Sequence, residues 1–249
     1  MTTIILAAGY GTRLYPLTLN RPKALLEVGA RTILDRLIDN IARAGRCEKV
    51  YIVTNEKFHQ PFEDWSKSRD FSFGVKVIND GTKSNETRLG AIGDIDFVLK
   101  KETIEDDLLI TGSDNLFDLE IADFVKFGIE KKPFSSMVLV DVKDRKLATR
   151  YGICSLDAEG RVIDFAEKPK EPRSTLAATA LYFIPQEKLA KVRDYMETDL
   201  PKDAPGNLMK WLAAEDGLYG YVLRQTWYDI GDKESLRKAD EEFTRKEKK

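Results

Sequence analysis

The 249-residue sequence predicts an α/β protein whose largely parallel sheet is covered on both faces by helices. Three observations carry this expectation. Apolar runs rich in β-branched residues recur along the first 142 positions, helical patterns separate them, and the first run opens into a glycine- and proline-bearing loop before any helix begins. Strands that alternate with helices in this way form parallel sheets buried on both sides.

The expected strands are Thr3 to Ala7, Lys49 to Thr54, Val75 to Asn79, Asp107 to Thr111 and Ser136 to Val142. The expected helices are Thr32 to Ala44, Glu86 to Lys101, Ile121 to Glu130, Asn207 to Glu215 and Lys233 onward. In the first helix Ile33, Leu37, Ile38 and Ile41 share one face at helical spacing. After residue 150 short strands take over. YGICSLDAEGRVIDFAEKP reads as a hairpin turning at Asp157, Ala158, Glu159 and Gly160, and LAATALYFIP as a further strand. No Pro/Gly/Ser-rich linker precedes this stretch, so the expectation is one domain over residues 1–249 with a lobe added to its sheet.

Composition excludes several classes. The 40 basic and 42 acidic residues nearly cancel, which argues against a nucleic-acid footprint or an anionic-membrane binder. Cys47 and Cys154 lack CxxC spacing and His59 is the only histidine, so Cys/His zinc sites and a disulfide framework are not expected. No apolar stretch approaches the ~20 residues of a spanning helix, and the expected location is the cytoplasm.

The segment AAGYGTRLYPLTLNRPK, residues 7 to 23, is the first candidate site. Gly9 and Gly11 let the backbone turn and offer amides to an anion, while Pro16 and Pro22 delay any regular helix until about Thr32. The string lacks the GK[ST] ending of a Walker A loop and the third glycine of a dinucleotide fingerprint. Arg13, Arg21 and Lys23 over two glycines suit a triphosphate at the carboxyl end of the first strand. A bare Gly-x-Gly would more often be an ordinary turn.

The whole string resembles the opening signature of the sugar-phosphate nucleotidyltransferases, the family of glucose-1-phosphate thymidylyltransferase and related NDP-sugar pyrophosphorylases. The resemblance implies a three-layer α/β/α Rossmann-like fold with a mostly parallel, mixed central sheet. It further implies a nucleotide-binding part over about residues 1–115 and a sugar-phosphate-binding part over about 116–249. By resemblance Ala8, Gly9, Gly11, Thr12, Arg13 and Lys23 hold the nucleotide, with Arg13 and Lys23 also catalytic.

Two aspartates fit the same family. Asp114, in GSDN, and Asp229, in WYDIG, would each read alone as a turn or capping residue, with Asp232 as the N-cap of the last helix. Together they resemble the family's Mg²⁺-binding pair, although Ser113 stands where the family usually has glycine. FAEKP and YGI resemble the sugar-phosphate motifs, so Lys168 inherits a catalytic, phosphate-binding role. Asn115, Gly152, Glu167, Thr179 and Trp227 inherit contacts to the sugar phosphate. Ala180 stands where the family tends to have glycine, and one methyl there could change which sugar fits.

Base recognition is the least resolved part of the sequence. In INDGTKSNETRLGAIGDI, Asn79, Asn85, Thr87, Arg88 and Gly90 could form a base pocket, with Asn79 and Arg88 binding the nucleotide. Equally, Asn79 to Ser84 could be a turn and Glu86 to Ile92 the first turns of a helix. The resemblance leaves dTTP, UTP and CTP open, disfavours GTP, and leaves self-association into a homo-oligomer open. The expected substrates are a nucleoside triphosphate and a sugar 1-phosphate, without nucleic acid or membrane. No hexapeptide repeats follow the last helix, so a single activity is expected. Two alternatives stand beside this. One is a cytidylyltransferase for phosphocholine or another non-sugar phosphate, for which Trp211, Trp227, Tyr182 and Tyr228 could supply aromatic faces. The other is a non-catalytic nucleotide-sugar-binding subunit, which should have lost one of Arg13, Lys23, Asp114, Lys168 or Asp229.

Overall fold

A computed structural model describes residues 1–248. Its first half runs β1 (Thr2–Leu6), β2 (Glu27–Val28), β3 (Arg31–Thr32), α1 (Ile33–Arg43), β4 (Lys49–Thr54), α2 (His59–Lys67), β5 (Gly74–Asn79), α3 (Ala91–Lys101), β6 (Leu108–Gly112) and β7 (Asn115–Phe117). The second half runs α4 (Ile121–Glu130), β8 (Ser135–Asp141), α5 (Arg145–Ala148), β9 (Gly152–Leu156), β10 (Val162–Glu167), β11 (Leu176–Ile184), α6 (Ala190–Met196), α7 (Pro205–Glu215), β12 (Leu218–Leu223), β13 (Trp227–Asp229) and α8 (Lys233–Glu247).

One nine-stranded mixed sheet is the centre of the molecule, in the order β10-β9-β11-β6-β1-β4-β5, with β8 branching from β11 and β12 pairing with β8. β6, β1, β4 and β5 run parallel to one another. Leu6 pairs with both Val53 and Gly112, so β1, β4 and β6 end nearly level and the loops that follow them leave at one edge. β11 is antiparallel to its neighbours. Its carboxyl half pairs with β6 and its amino half with β9, which carries the hairpin above the end of β6.

Side-chain alternation builds two cores. Ile5, Val50, Ile52 and Leu109 face one layer with α1, α2 and α4. Ile4, Tyr51, Val53, Leu108 and Ile110 face the other with α3, α6 and α7. Successive strand residues point to opposite faces, so a strand covered on both sides reads as a continuous apolar run. A smaller third cluster, of Leu14, Leu26, Val28, Ile33, Leu116, Ile230 and Ala239, packs α8 beneath the first loop.

All five expected strands, the hairpin and the β11 strand form with ends shifted by at most a residue or two. Helix α1 starts with Thr32 as N-cap and Asp35 completing a capping box, and Asp232 caps α8 in the same manner. One expectation needs correction: Glu86 does not begin a helix. α3 starts at Ala91, because Gly90 is left-handed at φ 80° and the first amides of the helix, Ala91 and Ile92, donate to the carbonyls of Asp203 and Lys202. The pattern missed α2, whose Pro61 is tolerated because it lies in the first turn. It also missed the short α5 and α6 and strands β2, β3, β7, β12 and β13.

Candidate functional site

The loop after β1 is held open by its own bonds. Asn55 donates to the Ala8 carbonyl at 2.8 Å, and Gly11 is left-handed at φ 60° with its carbonyl accepting from Thr18 Oγ1 at 2.8 Å. A β-carbon on Gly9 would meet nothing within 4 Å, whereas one on Gly11 would stand 3.2 Å from Thr18. The backbone at Gly9 therefore borders open space, and Gly11 makes the turn. Thr12 and Arg13 enter a 3₁₀ turn and are exposed. The Arg13 guanidinium lies against Gly231, 3.1 Å from the place of a β-carbon there.

Proline and a second 3₁₀ turn (Lys23–Leu25) then aim Lys23 back across the sheet edge. Its ammonium pairs with Asp114 Oδ2, and Asn115 Nδ2 donates to Asp114 Oδ1 at 2.8 Å. Burial opposes the charge on Asp114, but Lys23 and these donors outweigh it and hold the carboxyl below its ordinary range. The β7–β13 ladder brings Asp229 opposite Asn115, and the Ile230 amide donates to the Asp114 carbonyl at 2.9 Å. Burial, and then the charge of Asp114, push Asp229 up to about 6, with Lys23, Arg13 and Arg150 opposing. Two carboxyls thus converge beside three cations. Among the described residues no cluster of three or more His, Cys, Asp or Glu side chains forms.

Trp227 Nε1 donates to Asn115 Oδ1 at 2.6 Å, and its ring meets Tyr151 edge-on at 5.2 Å. Tyr151 joins this group to the hairpin, because its carbonyl accepts from the Lys168 amide at 3.0 Å. Lys168 has a left-handed backbone, φ 46°, and its exposed ammonium stands 3.7 Å from Glu167. Glu167 pairs with Gly152 in the β9–β10 register. Its Oε2 is 2.9 Å from the place of a β-carbon on Gly152 and 3.0 Å from that on Gly206 in α7, so both glycines make room for it. Burial raises Glu167, with Lys168 opposing.

The residues expected from the sequence therefore fall into a connected set and a remainder. Ala8, Gly9, Gly11, Thr12, Arg13, Lys23, Asp114, Asn115, Gly152, Glu167, Lys168, Trp227 and Asp229 line the carboxyl edge of the sheet. Thr179 is buried in β11 and spends its hydroxyl on the Val138 carbonyl at 3.1 Å. Asn79 donates to Glu56 at 2.6 Å, and Arg88 to the Asn85 carbonyl at 2.8 Å, each within its own neighbourhood. Arg21 pairs with Glu27 at 3.2 Å and does not join the other cations. Of the four aromatics weighed for a cationic substrate, only Trp227 is in the set. Tyr182 is in the core, Trp211 packs edge-on against Tyr195, and Tyr228 against Phe243. Sequence reasoning missed Asn55 and Tyr151. Asn55 directly follows an apolar strand, the same signal that marked Asp114.

No helix of the described residues is long and apolar enough to cross a membrane. The nucleotidyl transferase family model matches residues 2–246. The UTP–glucose-1-phosphate uridylyltransferase AglF of Haloferax volcanii is 30% identical over 182 residues, covering 73% of this chain and 71% of that protein. The bifunctional protein GlmU of Methanococcus aeolicus is 26% identical over 235 residues, 93% of this chain. The chain spans about half, 51%, of the length of that relative. A solved UDP-glucose pyrophosphorylase in complex with UDP-glucose superposes with a TM-score of 0.82 at 19% identity, covering 98% of each chain.

Proposed function

Because the chain belongs to the nucleotidyl transferase family, we propose that it makes an NDP-sugar and pyrophosphate from a nucleoside triphosphate and a sugar 1-phosphate, with Mg²⁺ as cofactor. The observation that carries this reading is the grouping of cations at one sheet edge: Arg13 and Lys23 beside the two carboxyls, and Lys168 across Tyr151 from them. Residues 1–115 would supply the nucleotide side and 116–249 most of the acceptor side.

In this reading the phosphate oxygen of the sugar 1-phosphate attacks the α-phosphorus in line and pyrophosphate leaves. A phosphate monoester is already anionic near neutral pH, so no general base is required. Two polyanions must be brought together, and positioned cations do this. Lys168 would hold the sugar phosphate, Glu167 its hydroxyls, and Asn115 and Trp227 the sugar. Arg13 would face the α-phosphate and the departing pyrophosphate, with the amides of Gly9 and Gly11 on the remaining oxygens.

The donor set fits a hard divalent cation. Two carboxyls supply oxygen only, and their mutual repulsion, which adds to burial in raising Asp229, is what a cation relieves. A pair of carboxylates completed by phosphate oxygens and waters is how Mg²⁺ is ordinarily held. Bound there, the metal neutralises charge on the nucleotide phosphates. The aromatic placement described above supports a sugar over a choline-like acceptor, and the presence of all five charged residues supports an enzyme over a silent binding subunit.

The test is pyrophosphate release with ATP, GTP, CTP, UTP and dTTP against glucose, mannose, galactose and N-acetylglucosamine 1-phosphates and phosphocholine, each with Mg²⁺ or EDTA. Release that needs one sugar phosphate and metal is the expected result. Release with phosphocholine alone, or none with any pair, would overturn it.

A further inference from the structure

Three buried carboxyls lie outside this set; Asp96 pairs with Lys100 at 2.6 Å, and the mechanism leaves the other two unused. Asp80 follows β5 and is 8% exposed, while Asp94 lies in the first turn of α3 and is 5% exposed. Asp80 Oδ1 is fully engaged, accepting from the Thr82 amide and hydroxyl at 2.7 Å each. Asp80 Oδ2 and Asp94 Oδ1 have no partner among the described residues. A buried carboxyl oxygen without a hydrogen bond is costly, and two facing carboxylates cannot both stay ionised.

The groups around the pair are few. Among the described residues the charge felt at Asp94 is that of Asp80, whose carboxyl lies within hydrogen-bonding reach of it, and burial together with that neighbour pushes Asp94 up to about 8. On the other side the Thr82 carbonyl accepts from Tyr10 Oη at 3.3 Å and from the Glu56 amide at 3.0 Å. Glu86, Tyr15 and Asp80 add their fields at Tyr10. Tyr10 stands between Gly9 and Gly11 in the phosphate loop. A chain of contacts therefore runs from α3 through Asp94, Asp80, Thr82 and Tyr10 to that loop.

We propose that Asp94 is a positioning residue for nucleotide binding: it keeps a proton that bridges its Oδ1 to Asp80 Oδ2, and this bridge fixes the segment 80–90 against the phosphate loop. The proton satisfies both orphaned oxygens at once. Asp80, relieved of a second negative neighbour, stays the acceptor that shapes Thr82. When the proton leaves, the carboxylates repel, Thr82 is released, and Tyr10 loses its anchor. The link to nucleotide rests on the function proposed above, whereas the bridge itself does not.

The test therefore uses two readouts on the full chain. The first is hydrogen–deuterium exchange of residues 80–90 and 7–14, corrected for intrinsic rates, across about pH 6.5 to 9.5. Protection in the wild type should fall by about tenfold through the alkaline half of this range, the worth of one buried hydrogen bond. Asp94→Asn keeps a donor without a titrating proton, so its protection should stay flat. Asp80→Asn donates to an ionised Asp94 and should likewise lose the alkaline fall. The second readout is the KM for the nucleoside triphosphate, expected to rise with pH in the wild type and stay level in Asp94→Asn, with kcat unchanged by the substitution. A pH-independent wild type, or an Asp94→Asn profile that copies it, would overturn the bridge. The bridge confirmed by exchange, with no nucleotide turned over by any form, would instead overturn the proposed function.

Discussion

Lys23 and Asp114, 91 positions apart in the chain, form an ion pair that joins the loop after β1 to the turn after β6. The pair exists because β1 and β6 are adjacent and end level, so that the segments leaving them meet. It also holds Asp114 ionised despite burial. Lys23→Met should leave that carboxyl without its main partner. A hydrogen bond to a charged group is worth about 1.5–3 kcal/mol, so chemical denaturation should show a loss in that range, together with a fall in turnover of about 10²-fold or more.

Lys168 offers the opposite separation of effects. Its side chain is 65% exposed, and among the described residues its ion pair is the loose contact to Glu167; such surface pairs contribute about 0–1 kcal/mol. Lys168→Ala should therefore unfold at nearly the wild-type denaturant midpoint while kcat/KM falls by about 10² to 10³. Arg13→Ala, an exposed side chain beside Gly231, should behave alike. Near-wild-type turnover in either variant would remove that residue from the site.

If Asp229 holds the proposed metal, it ties metal binding to pH. Its folded value, raised to about 6 by burial and by Asp114, lies above that of an unfolded carboxyl. The stability it contributes is then present at low pH and lost as pH rises through about 6. Metal binding needs the ionised form, so stabilisation by Mg²⁺ should grow over the same interval, reaching about 2.7 kcal/mol when the ion is at 100 times its Kd. Thermal scans from pH 5 to pH 8, with and without Mg²⁺, read both trends, and Asp229→Asn should flatten both.

Gly90 tests how the start of α3 is tied to residues 202–203, just before α7. Its φ of 80° and the 2.7 Å from the place of its β-carbon to Asp203 Cα and the Lys202 carbonyl leave no room for a side chain. Gly90→Ala should cost roughly 1–3 kcal/mol of stability from strain of this kind. It should also raise the KM for nucleotide, since α3 and the segment 80–90 would shift together. A variant as stable as the wild type would show that the contact with residues 202–203 is yielding.

Local signals in the sequence determined a good deal. Apolar runs with flanking turns located β1, β4, β5, β6 and β8, and capping residues located α1 and α8. Gly9, Gly11, Arg13, Lys23, Asp114, Lys168 and Asp229 were expected only because their strings resemble a family's motifs in the family's order; read one at a time, each string was an ordinary turn, cap or strand end.

What only the tertiary structure decided are relations between distant segments. Glu86 reads as helix by composition, yet α3 waits until Ala91 because the carbonyls of Lys202 and Asp203 take its first amides. Thr179 sits in a motif, but β11 turns its hydroxyl to Val138. Arg21 is as cationic as Lys23, and Glu27 claims it. Asp80 and Asp94 look like ordinary polar residues until burial faces one toward the other. Periodicity and turn chemistry are encoded within a few residues and can be read locally. A side chain's final partner depends on which strands lie side by side, and that is fixed only when the sheet closes.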